Sequence, residues 1–63
     1  MTAAPSPRAV WIAHTLIIID DDCGESFVDE LLATPALRRQ MGVCYIKGLS
    51  PAEAADHLIG VAA

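Results

Sequence analysis

Three consecutive carboxylates, Asp20, Asp21 and Asp22, stand at the end of an apolar run and are the residues of this chain best suited to chemistry. Hard cations such as Mg²⁺ take one or two carboxylates and keep much of their shell as water. Acidic side chains at the carboxyl end of a strand also lie where open α/β sheets bind ligands. The triplet is therefore the candidate divalent-metal site, with Mg²⁺ the cofactor it would take. The competing reading is that these acids solvate the end of the run and complement the positive end of a following helix.

The other reactive side chains are isolated. His14 lies among apolar neighbours with no nucleophile close in sequence, and His57 falls among the polar positions of the last segment. Cys23 adjoins Gly24, but the three aspartates before it oppose a thiolate. Cys44, within Val-Cys-Tyr-Ile, reads as a small buried apolar residue. The sequence has no Gly-rich phosphate loop, no Cys-x-x-Cys pair and no metal-spaced His pair. The expectation is a protein that is not an enzyme.

The elements that position these groups follow from pattern. Val10–Ile19 is dense in β-branched residues, as strands are. Alternation puts Val10, Ile12, His14, Leu16 and Ile18 on one face and Trp11, Ala13, Thr15, Ile17 and Ile19 on the other. Both faces are apolar, which predicts a strand covered on both sides. Residues 1–8 carry two prolines and predict an extended tail. Asp22 and Glu25 have the spacing of a capping box, so a helix is expected from about residue 25. Thr34 as N-cap and Pro35 at the first helical position break and restart it. The restarted helix is expected to end at residue 41, with Gly42 as its left-handed cap. Val43–Lys47 alternates like a short edge strand. Ser50-Pro51-Ala52-Glu53 opens a last helix over 51–60. Ala54, Ala55, Leu58, Ile59 and Ala62 form its apolar stripe, opposite Glu53, Asp56, His57 and Gly60. The expected fold is one small α/β (or α+β) domain over 9–63. It is a two-layer β-α-β-α unit with strands 10–19 and 43–47 and helices 25–41, broken at Pro35, and 51–60.

A strand ending in paired aspartates, followed by helix, strand and helix, resembles the first half of a response-regulator receiver domain. The resemblance implies that Asp20 and Asp21 help to hold Mg²⁺ beside a phosphorylated aspartate, giving a divalent-metal-binding half-domain with a phosphate-linked regulatory role. The matching stretch stops short of the strand that would carry the phosphoryl acceptor.

Size and charge bound the rest. A chain of 63 residues buries only roughly 60% of the surface its unfolded form exposes. Two cysteines make no disulfide framework, and such small chains otherwise rely on a metal or a partner. Four Lys/Arg against eight Asp/Glu give a net charge of −4, which disfavours nucleic acid as a partner. Arg8 and the run that follows have the outline of a signal peptide but lack the small residues of a cleavage site. The run is also short of the roughly 20 residues a membrane helix needs, so no membrane partner and a cytoplasmic location are expected. With 54% hydrophobic residues, some apolar surface is expected to meet another chain. The function expected is a small protein-interaction module, or a minor subunit of a larger homo- or hetero-oligomeric assembly. Its protein partner would contact Trp11, Ile17 and Ile19 on one face of the first segment and Leu58 and Ile59 on the last helix.

Overall fold

The computed structural model of the chain describes residues 6–62, and among them there is no strand. Four helices follow one another: α1 (Pro7–Cys23), α2 (Glu25–Ala33), α3 (Pro35–Ile46) and α4 (Pro51–Ala62). The expected α/β fold is therefore corrected to an all-helical one. The segment 10–19, read as a central strand, lies inside α1, and of the segment 43–47, read as an edge strand, Val43–Ile46 form the last turn of α3 and Lys47 is its C-cap.

The reason for the first correction begins at Ser6. Its hydroxyl accepts from the Ala9 N–H at 3.1 Å, and Pro7 opens the helix behind it, the same Ser-Pro start that opens α4. Against that start, β-branched residues cost only about half a kcal/mol each in a helix. Thr15 hides its hydroxyl by donating to the Trp11 carbonyl one turn back, at 2.8 Å. Apolar residues on both faces of a strand and apolar residues around a whole helix are the same pattern, and periodicity does not separate them. Of the expected tail, Pro7 and Arg8 belong to α1, and residues 1–5 lie outside the described residues.

The aspartates do not end this element. Asp20, Asp21 and Asp22 continue α1, which stops at Gly24, whose φ of 89° lies in the left-handed region and whose N–H donates to the Asp20 carbonyl at 2.8 Å. Gly24 is also the N-cap of α2 and supplies no side chain, so the expected Asp22–Glu25 capping box does not form.

Thr34 and Pro35 separate α2 from α3, but the Thr34 hydroxyl bonds back to the Glu30 carbonyl at 2.7 Å and leaves the start of α3 without a side-chain cap. The helix runs through Gly42 and ends at Gly48, where φ is 78°. The Gly48 N–H donates to the Tyr45 carbonyl and the Leu49 N–H to the Cys44 carbonyl, each at 3.1 Å. These paired bonds are the Schellman termination, with glycine in the left-handed position. The left-handed glycine is thus Gly48, and the extra turn gained contains Cys44, which is buried. At α4 the capping box is reciprocal: the Glu53 N–H donates to the Ser50 hydroxyl at 3.2 Å, and the Ser50 N–H donates to Glu53 Oε1 at 3.0 Å.

Packing closes the four helices into a ring. α1 rests on α2 and α4, and α3 rests on the same two. Thr15, Ile19, Leu31, Met41, Cys44, Ala54, Ala55 and Leu58 are buried at the centre, with Trp11, Ile12, Leu16, Phe27 and Leu37 packed around them. Each large apolar side chain buried here contributes roughly 1.5–3 kcal/mol. The two alanines keep α4 thin on its inner side, and among the described residues no buried side-chain polar atom lacks a partner.

Candidate functional site

A helix turns successive residues about 100° apart, whereas a strand puts alternate residues on one face. Ile17 and Ile19, which share a face in a strand, therefore lie on opposite sides of α1. Ile19 is 0% exposed in the core, and Ile17 is 64% exposed. Leu58 is also fully buried, while Trp11 and Ile59 are half-buried. Of the five residues expected to meet a partner, Ile17 is the one that presents most of its side chain outward.

The helical spacing gives Ile17 different neighbours. Val10, Ala13 and His14 are exposed with it, at the i, i+3/i+4, i+7 positions of one stripe. The stripe borders a shallow groove of about 360 Å³ between α1 and the start of α4, where His14, Ile17 and Ile18 face Ser50, Pro51 and Ala52. His14 is therefore a surface residue of the stripe. Asp20 and Asp21 follow at its carboxyl end, both exposed. Val43 and Ile46 make a smaller exposed apolar pair at the end of α3. Sequence reasoning missed Val10, Ala13 and His14 as members of a site. The signal that would have found them is the Ser6-Pro7 start read together with helical spacing.

Trp11 has an internal task. Its indole N–H donates to the Leu49 carbonyl at 2.9 Å, and its ring meets Tyr45 edge to face, with centroids 5.3 Å apart and planes at 69°. The contact joins α1 to both ends of the α3–α4 connection.

The acidic triplet is fully on the surface, and its members diverge around the last turn of α1. Among the described residues no three His, Cys, Asp or Glu side chains gather as a metal ion would require. Cys23 is exposed and Cys44 buried, both as free thiols. His57 is exposed, with Nε2 3.4 Å from Gln40 Oε1 across α3 and α4. The Glu53 carboxyl is held below its ordinary value, first by the backbone N–H of Ser50 and then by the Ser50 hydroxyl. Among the described residues no helix is long and apolar enough to cross a membrane.

Comparison with protein-family models, with curated proteins and with solved structures finds no match for this chain.

Proposed function

We propose that this chain is a non-enzymatic helical interaction module, that it assembles through the outer face of α1, and that the occupant of that face is α1 of a second copy. The observation carrying the reading is a surface helix with almost no polar side. Between Arg8 and Asp20 its outward stripe is Val10, Ala13, His14 and Ile17, of which His14 alone is polar. A helix that faces water turns charged residues outward, whereas apolar anchors at this spacing are how one helix is read by another chain.

Antiparallel two-fold pairing, centred between Ala13 and His14, makes the stripe self-complementary. Val10 then meets Ile17 of the partner subunit. Asp20 and Asp21 reach the first turn of the partner's α1, where the positive end of the helix dipole favours negative charge. Parallel pairing would instead bring the two acidic ends together. A single helix pair falls below the roughly 1,200 Å² of standard interfaces, so the association is weak and concentration-dependent.

Sedimentation equilibrium over a wide concentration range tests this. The expected mass rises from that of one chain, 6.7 kDa, toward twice that value, and Ile17→Glu stays at 6.7 kDa with its helical circular dichroism unchanged. A wild-type protein that remains at 6.7 kDa throughout contradicts the reading.

A further inference from the structure

A cleft of about 200 Å³ opens between α1 and α3, on the side of α1 that carries Trp11. Its charged lining is Arg8 and Arg38, and no carboxylate among the described residues lines it. The chain as a whole has a net charge of −4 and only four Lys/Arg, so half of its cations converge on this one cleft. Two guanidinium groups without a facing acid leave a positive potential that an anion relieves.

The walls are aromatic and held in place. Trp11 and Tyr45 meet edge to face at 5.3 Å, and the hydrogen bond from Trp11 to Leu49 fixes the indole plane. The Arg8 guanidinium lies over the Tyr45 ring, 5.7 Å from its centroid. It also passes close to Gly42 of α3, where a Cβ would stand in ordinary contact, 3.4 Å from Arg8 Nη2. Met41 supplies an apolar floor.

We propose that this cleft binds a small aryl carboxylate. The planar forks of Arg38 and Arg8 match a carboxylate bidentately, and the ring lies against Trp11, Tyr45 and Met41. The volume is below the roughly 300–1,000 Å³ of pockets that take drug-sized molecules, which restricts the ligand to about one ring. The site lies on a different face of α1 from the Val10–Ile17 stripe and does not depend on dimerisation.

The test is a titration of ¹⁵N-labelled protein with benzoate, alongside benzamide and acetate. The single Trp gives one indole N–H resonance to follow. Benzoate is expected to move the Trp11 indole and Gly42 amide signals saturably, and benzamide and acetate each to bind about tenfold more weakly or worse. Arg38 is exposed, so Arg38→Gln keeps the fold and weakens benzoate by about tenfold. Absence of a saturable shift overturns the proposal, as does benzamide binding as well as benzoate. Acetate matching benzoate removes the aromatic part. Arg38→Gln and Arg8→Gln both binding like the wild type remove the anion site.

Discussion

The indole N–H of Trp11 donates to the carbonyl of Leu49 at 2.9 Å, across 38 residues of sequence. The bond holds the α3–α4 connection against the second turn of α1 and so joins the start of the chain to its last third. Trp11→Phe keeps an aromatic ring beside Tyr45 but leaves that carbonyl without its donor. A loss of about 1–2 kcal/mol is expected in urea unfolding, with the slope of the transition unchanged.

Ile17 and Ile19 separate a helix from a strand directly. Ile19→Ala empties the core and should cost about 2–5 kcal/mol. Ile17→Ala acts at the surface and, measured at low protein concentration, should change stability by no more than about 0.5 kcal/mol. Equal losses at the two positions would restore a face shared by both residues and contradict α1.

Two glycines should respond in opposite directions. Gly48 sits at a φ of 78° at the end of α3, whereas Gly60 is inside α4 with open space where a Cβ would go. Gly48→Ala is expected to destabilise by about 1 kcal/mol or more, because the left-handed region is strained for alanine. Gly60→Ala is expected to stabilise by up to about 1 kcal/mol through helix propensity. Thermal melting of both variants checks the pair.

The capping box of α4 makes stability depend on pH in a defined direction. The Glu53 carboxyl is lowered by its bonds to Ser50. A group depressed on folding contributes stability that is fully present above its unfolded value, roughly 4.3 for glutamate, and lost as pH falls through the folded value. Unfolding followed from about pH 6 to about pH 3 should show a loss in the wild type that Glu53→Gln lacks. Identical profiles would mean that the box carries no charge-dependent stability.

Legibility in the sequence was uneven for physical reasons. Ser50-Pro51-Ala52-Glu53 declares α4 because both halves of its capping box lie within four residues. Ser6-Pro7 opens α1 by the same device, but Ala9 stands where the answering acid would be, so the start is quieter. The run after it is apolar on every side and therefore carries no period to read, while its β-branched residues argue locally for a strand. Tertiary burial of Thr15 and Ile19 in the helical core offsets that local preference. Sequence reasoning puts the left-handed cap at Gly42, whereas the structure has it at Gly48. The choice between them is made by which end lets Cys44 reach the core, a long-range fact. The outer stripe of α1 became visible only once helical spacing replaced alternation.

The arrangement of two α1 helices is read most directly by disulfide exchange between proteins with one exposed probe cysteine on α1, in a Cys23→Ser background that leaves only the buried Cys44 as a native thiol. Val10→Cys and Ile17→Cys proteins are mixed under redox buffer, and mixed and like disulfides are counted by mass. Antiparallel pairing of outer faces predicts that the mixed Val10→Cys/Ile17→Cys species forms in clear excess over both like pairs. A statistical mixture, or no intermolecular disulfide above that of an exposed control position such as Ala36→Cys, would contradict it.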